Sequence, residues 1–449
     1  MSCLSNPIKT LLRKAPKMRR EDSILPDMSE VTTIILGGGE GKRLFPLTQS
    51  CCKPNISFGG RYRLIDVPIS SAINSGCHKI FVITQFLSTA LHRHIIKTYS
   101  HFGFDSSGIE ILSPELKPGK KSWFEGTADA VRQNLDYFLE FPTEYFLILS
   151  GDQLYSMDFR KILQIAKSTN ADLVLAAQPI TKNDCQRMGV LQVNENQMIT
   201  KFLEKPKDAS DIEGMEFPKN LKNQFSKAHP QKSHLGSLGI YLFKKEALLK
   251  LLVNDHREDF GMHLLPSIIA HGNSAAYLFD GYWEDIGTIE SFYTANMKLT
   301  YQNPEFNFYD ETKPVYTSHS NLAASKILAS QINNCMICNG SLIEKSKISH
   351  SILGPRTVIR KGCVIKDTYI IGNDFYQRPA LTKELTELLD IGKNCTITKT
   401  IIDVNVRIGE NVTLVNKDNL LHYDGENIYI RNGVIIVPRN TTIPDGFTL

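Results

Sequence analysis

From Val31 to about Tyr282 short apolar runs alternate with longer amphipathic stretches. Thr32–Leu36, Lys79–Thr84, Tyr145–Leu149 and Asp172–Gln178 read as buried strands. In Thr127–Leu139 the residues Val131, Leu135, Phe138 and Leu139 fall at i, i+4, i+7 and i+8, one face of a helix, with Thr127 at the N-cap position. Ala247, Leu248, Leu251 and Leu252 mark a second amphipathic helix. Strands alternating with helices predict βαβ units and an α/β domain with a mostly parallel sheet. Ligands bind such sheets in the crevice at the carboxyl ends of the strands.

Beyond residue 300 the pattern changes. Residues 301–325 hold Pro304, Pro314 and several Asn, Tyr and Ser residues and read as a linker. A six-residue apolar period follows: Ile352, Val358, Val364 and Ile370, then Ile391 and Ile397, then Ile402, Ile408 and Leu414. This is the pattern of a parallel β-helix, with Gly354, Gly362, Gly392 and Gly409 at its corners. Asn373–Leu389 interrupts the period as a loop, in which Leu381, Leu385, Leu388 and Leu389 predict a short helix. Hexapeptide coils also occur in acyltransferases, but no catalytic histidine pattern accompanies these, which favours a structural, subunit-contacting role. The expected organisation is a basic arm (1–30), a catalytic domain (31–300), a linker (301–325) and a β-helix (326–449).

The 449 residues suffice for two to four domains and a sizeable core. Lys and Arg number 51 against 47 Asp and Glu, a net +4, which does not suggest a nucleic-acid-binding protein. No apolar run approaches the roughly 18–20 residues of a membrane span. Nine scattered cysteines read as reduced thiols of a cytoplasmic protein. Cys335 and Cys338 form a C-x-x-C pair that lacks the second pair of ligands a zinc site needs. Residues 1–20 carry six Lys and Arg and no acid, which suits a solvated arm, an organelle leader such as a plastid one, or a contact for a small anionic effector.

The chemistry begins after the first strand, in Leu36-Gly37-Gly38-Gly39-Glu40-Gly41-Lys42-Arg43-Leu44. Glycines let backbone amides approach a phosphate chain, and Arg43 adds a fixed cationic fork. The spacing is neither Walker A nor the dinucleotide fingerprint. A tight turn alone does not account for Arg43 and the later Lys53-Pro54.

Gly-Gly-x-Gly-x-Arg-Leu followed by x-Lys-Pro resembles the nucleotidyltransferases that make nucleotide sugars. Phe58–Asp66, Asn74-Ser75-Gly76, Thr84-Gln85-Phe86, Trp123–Val131 and Leu149–Asp152 extend the resemblance, as do Phe202–Pro206, Ser237–Tyr241 and Tyr282–Thr288. In order and spacing residues 31–449 are similar to the glucose-1-phosphate adenylyltransferase (ADP-glucose pyrophosphorylase) family, closest to its plant-type members. That implies a Rossmann-like catalytic domain, a left-handed β-helix, and the reaction of ATP with α-D-glucose 1-phosphate to give ADP-glucose and diphosphate in glycogen or starch synthesis. By the resemblance, Gly37, Gly38, Gly39, Gly41, Arg43 and Lys53 hold the ATP phosphates, and Gln85, Gly126, Thr127 and Ala128 pack the nucleoside. Arg43, Lys53 and Asp152 are the catalytic set, and Asp152 and Asp285 carry Mg²⁺. Gly189, Glu204, Lys205, Ser237 and Asp285 form the glucose 1-phosphate end, with Lys205 on the phosphate and Glu204 on sugar hydroxyls. Small phosphorylated effectors and a homotetramer are also expected, with Arg439 at an activator position.

Several residues depart from the family pattern. Lys42 replaces Thr, Gln153 replaces His, and Arg187-Met188-Gly189 replaces Asp-Phe-Gly or Asp-Tyr-Gly. Val404 and Ser50 stand where relatives carry activator-binding lysines. Asp285 has a second reading as the cap of a helix near Thr288, His92 and His94 read as structural, and Asp208–Glu216 reads as a solvated mixed-charge loop. A catalytically silent regulatory subunit and a pyrophosphorylase for another nucleotide sugar are the competing functions. The retained Arg43, Lys53, Asp152, Lys205 and Asp285 weigh against the first.

Overall fold

The computed structural model describes residues 25–100, 108–115, 123–208, 210–225, 231–378 and 387–449. The basic stretch 1–20 and the leucines 381 and 385 lie outside the described residues.

The first domain is built on a nine-stranded sheet. Its strands are β1 (Val31–Leu36), β2 (Lys79–Ile83), β3 (Ile109–Leu112), β4 (Tyr145–Ser150), β6 (Leu173–Thr181), β7 (Gly189–Val193), β8 (Ile199–Glu204), β9 (Lys232–Lys244) and β10 (Ser274–Leu278). Two short strands, β5 (Gln153–Tyr155) and β11 (Trp283–Asp285), pair antiparallel beside it. The main path runs β8-β7-β9-β4-β1-β2-β3, with β6 joined to β9 and β10. β4, β1, β2 and β3 are parallel, whereas β9 runs antiparallel to β4, β6 and β7.

In β1, Val31 and Ile35 enter one apolar cluster and Ile34 enters the one on the opposite face. Helices cover both faces, so the strand reads as a continuous apolar run. Leu36 stands beside both Ile83 and Ser150 in the register. The segments after β1, β2 and β4 therefore emerge together at one edge, where the sequence predicts the crevice.

The helix expected over 127–139 is two helices, α1 (Thr127–Gln133) and α2 (Leu135–Leu139), broken at Asn134. Asn134 has φ −109° and ψ 10°, and its side chain bonds back to Ala130 O at 2.8 Å. Side-chain bonding of this kind competes with helical continuation. Thr127 is not the N-cap. Gly126 holds that position in extended backbone, and the Thr127 hydroxyl reaches across to residues 259–260 instead. Near residue 288, Thr288 caps its helix reciprocally with Ser291, which rules out the capping role considered for Asp285.

Residues 301–325 hold no helix or strand, yet they are packed. Phe306 is buried, Phe308 stacks on Tyr62 at 4.0 Å, and Tyr316 N bonds to Ser70 Oγ at 2.8 Å. In Asp208–Glu216 the acids are exposed as expected, while Ile212 and Met215 anchor the loop.

The second domain stacks coils whose inward residues form three ladders. Ile343 pairs with Ile359, followed by Ile391, Ile408 and Ile443. Ile348, Ile365, Ile397 and Leu414 form the second ladder, and Leu353, Ile370, Ile402 and Val437 the third. The sequence period placed Ile352, Val358 and Val364 in this core; the inward residues are their successors Leu353, Ile359 and Ile365. Val364 is 45% exposed, and Ile352 packs toward the first domain. Each mistaken residue precedes another aliphatic one, so the period alone does not choose between faces, and a shift of one residue exchanges them.

Three of the corner glycines permit close stacking of turns. A Cβ on Gly354 would stand 1.9 Å from Ile371 O, and those on Gly392 and Gly409 would meet backbone or side chain at 2.4 Å. Gly362 instead has φ +84°. We expect Gly354→Ala to lower the thermal midpoint by several degrees, since overpacking costs about 1–3 kcal/mol. Calorimetry checks this, and an unchanged midpoint contradicts it.

Candidate active site

After β1 the chain turns through Gly37–Gly41 into a single 3₁₀ turn, Lys42–Leu44. Gly37 N bonds to Ile83 O at 2.8 Å and Gly151 N to Leu36 O at 2.9 Å, which ties the loop to its neighbours. Gly41 has φ +66°, and a Cβ there would stand 3.0 Å from Thr48 and 3.1 Å from Lys53. A Cβ on Gly39 would meet nothing within 4 Å, so that stretch of backbone is open to a ligand.

Lys53 lies on a second 3₁₀ turn, Lys53–Asn55, and is buried. Its Nζ is 2.6 Å from Asp152 Oδ2 and 3.5 Å from Asp285 Oδ1. Asp285 is in register with Gln153, the residue after Asp152, so the β5–β11 ribbon brings the two carboxylates to one point. Burial works to raise Asp152, but Lys53 and the Ser150 hydroxyl outweigh it and hold this carboxyl below the usual range. Burial pushes Asp285 up, with the charge of Asp152 adding, despite Lys53 and Arg43. Gly287 lies between Arg43 and Asp285: a Cβ there would be 3.4 Å from Arg43 Nη2 and 2.9 Å from Asp285 Oδ2.

Among the described residues no three Asp, Glu, His or Cys side chains converge as a metal cage. Two convergent carboxylates, one of them incompletely neutralised, do fit a hard divalent cation whose remaining ligands are water and phosphate oxygens.

A cleft of about 530 Å³ runs from Gly38, Gly39 and Gln85 past Asp152 to Glu204, Lys205, Gly239 and Tyr241. A second lobe of about 240 Å³, lined by Gly37, Gly39, Gly41, Arg43, Lys53 and Gly287, shares Asp152 with it. At the far end Glu204 ends β8, in register with Gly189. Lys205 follows in a left-handed conformation (φ 45°), with its side chain 62% exposed and Nζ 3.1 Å from Glu204 Oε1. A non-glycine residue held there is locally strained, a feature concentrated at ligand sites. In β9 a bulge between Ser237 and Tyr241 turns Gly239, at φ +68°, toward the cleft.

The sequence-predicted residues divide into three groups. Gly37, Gly38, Gly39, Gly41, Arg43, Lys53, Gln85, Gly126, Thr127, Asp152, Glu204 and Lys205 line the two lobes. Asp285 joins them through Lys53. Ala128, Gly189 and Ser237 stand behind the lining. Ala128 is fully buried and its amide bonds to Glu258 O at 2.8 Å; Gly189 packs against Phe202 and Glu204; Ser237 bonds to Tyr241. The Gln85 carboxamide braces the opposite wall, accepting from Phe124 N at 2.8 Å and donating to Phe124 O at 3.2 Å. Arg439 is in the β-helix domain, with Nε 3.7 Å from the buried Asp403. His92 and His94 are structural, bonded to Thr84 Oγ1 at 2.7 Å and Asp66 Oδ1 at 2.6 Å.

Sequence reasoning missed Asp259 and its neighbours. The Thr127 hydroxyl donates to Asp259 Oδ2 at 3.3 Å and accepts from Phe260 N at 3.1 Å, which places Asp259, Gly261 and Met262 in the wall of the cleft with Glu204. A Cβ on Gly126 would stand 2.4 Å from Glu258 O, so glycine there lets the two segments close on each other. The only local signal was an Asp-Phe-Gly run outside any strand ending in glycine.

A glycine loop with fixed cations, a carboxylate pair at the shared centre and a polar far end amount to a site for joining two phosphorylated compounds. The Nucleotidyl transferase family pattern matches residues 32–302, and that of the GLGC left-handed parallel beta-helix domain matches residues 320–448. The chain accordingly belongs to the nucleotidyl transferase family, in its GlgC-type sugar nucleotidyltransferase branch.

Proposed function

We propose that this chain is a glucose-1-phosphate adenylyltransferase, forming ADP-glucose and diphosphate from ATP and α-D-glucose 1-phosphate. The observation that carries the reading is the continuity of the two lobes through Asp152, with backbone amides and cations on one side and the Glu204–Lys205 pair on the other. The glycine loop and Arg43 hold the β- and γ-phosphates of ATP. Lys205 meets the dianionic sugar phosphate, and Glu204 accepts hydrogen bonds from hexose hydroxyls. An oxygen of the sugar phosphate attacks the α-phosphorus in line. The new P–O bond forms as the α–β bridging bond breaks, and the electron pair leaves on diphosphate. Lys53 and Arg43 neutralise that leaving charge, the transition-state task for which fixed dipoles and cations are most effective. Asp152 and Asp285 would hold Mg²⁺, which when bound supplies positive charge to the phosphate oxygens.

The test is to assay the purified chain alone with each nucleoside triphosphate and each sugar phosphate. ATP with glucose 1-phosphate is expected to be the best pair by at least about tenfold in kcat/KM. No turnover with any pair would favour the silent-subunit reading, and a better pair would name another nucleotide sugar.

Two substitutions follow from the geometry. Asp152→Asn is expected to lower kcat by about 100-fold or more, the scale of one lost transition-state contact, with circular dichroism unchanged. Near-normal turnover would remove Asp152 from the reaction. Lys205→Ala is expected to raise KM for glucose 1-phosphate by about 10- to 100-fold, the equivalent of one charge-assisted hydrogen bond, and to leave KM for ATP within about twofold. Steady-state kinetics with each substrate varied decides it, and an unchanged sugar-phosphate KM contradicts the assignment.

A further inference from the structure

Gln153 stands next to Asp152, and nothing above gives it a task. It is only 7% exposed. Its Oε1 accepts a hydrogen bond from the Trp283 indole Nε1 at 3.2 Å, across the β5–β11 ribbon. An indole N–H can only donate, so the carboxamide atom facing it must be oxygen. That fixes the orientation of the amide, and the NH₂ group points away from Trp283. It points toward Gly239: Nε2 is 3.0 Å from where a Cβ on that residue would lie. The left-handed bulge at Gly239 thus clears room for this one amide. Among the described residues Nε2 has no hydrogen-bond partner, although Gln153 lines the cleft together with Gly239, Tyr241 and Glu204. The atom opens on the cleft and is not sealed from solvent, so a ligand that displaces its water must offer an acceptor there.

We propose that Gln153 is a specificity-determining residue that donates a hydrogen bond from Nε2 to a hydroxyl oxygen of the bound hexose. The inference rests on the sugar-phosphate reading of this end of the cleft and adds a residue to it. The chemistry is complementary. Glu204 only accepts hydrogen bonds, whereas each hexose hydroxyl both donates and accepts, so the pocket needs a donor. Lys205 supplies a charge suited to phosphate, and the amide supplies a neutral, directional donor. Gln153 does not line the lobe of Arg43 and Lys53, and its amide faces the Gly239 bulge, on the side of the cleft that holds Tyr241 and Glu204. An amide also keeps the same donors at every pH.

The experiment uses the full chain and glucose 1-phosphate with its 2-, 3-, 4- and 6-deoxy analogues, comparing wild type, Gln153→Met and Gln153→Glu. Gln153→Glu keeps an acceptor for the indole but presents no donor, and tryptophan fluorescence reports whether that bond survives. In wild type one deoxy analogue is expected to lose about tenfold or more in kcat/KM relative to the parent sugar through this contact. In both variants that one ratio shrinks to about twofold, the other three stay unchanged, and KM for ATP stays within about twofold. If all four ratios are the same in the variants as in wild type, Gln153 only braces Trp283 and the proposal falls. A wild-type chain that turns over no hexose phosphate overturns the underlying reading instead, and that result is seen before any variant is compared.

Discussion

The buried ammonium of Lys53, shared between Asp152 and Asp285, sets the arrangement of everything around it. Asp152 follows a central parallel strand and Asp285 ends a short strand more than a hundred residues later. Two carboxylates brought this close repel, and each has lost much of its water. A single cation at 2.6 and 3.5 Å makes the approach tolerable while leaving Asp285 incompletely neutralised. The same side chain borders the glycine loop, so the loop and the carboxylates meet around one fixed charge.

That charge is positioned from behind by the second domain. The hairpin that follows Lys53 rests on Tyr369 of the β-helix, whose hydroxyl donates to Ser57 O at 3.0 Å and accepts from Gly60 N at 3.4 Å. Phe45, just after the phosphate loop, meets the ring of Tyr429 edge-on at 5.3 Å. One apolar cluster contains Leu44, Phe58 and Phe292 from the first domain and Tyr369, Ile401 and Ile436 from the second. The loop is therefore backed by the stacked coils of the second domain.

Much of this was legible in the sequence where a local pattern carries it. Apolar runs gave the strands, and the glycines after Leu36 marked the loop, because a strand buried on both faces and an open turn each demand particular residues nearby in the chain. Glu204 and Lys205 came from the family resemblance and not from a local pattern, and both line the cleft. Asp259 was not legible, because its place depends on the Thr127 hydroxyl crossing from another element. The β-helix period was legible, and Ile370, Ile391, Ile397, Ile402, Ile408 and Leu414 do face inward; the first three positions were one residue early, since Ile352-Leu353, Val358-Ile359 and Val364-Ile365 each offer two aliphatic choices. Gln153 stood out only as a departure; its amide gains meaning from Trp283 and Gly239, which lie far away in sequence.

The most direct measurement is a crystal structure of the chain with a non-hydrolysable ATP analogue and glucose 1-phosphate bound together. The account predicts both in the one cleft, on either side of Asp152, with a sugar-phosphate oxygen about 3–3.5 Å from the α-phosphorus. Ligands in separate sites, or a sugar phosphate bound away from Glu204 and Lys205, would contradict it.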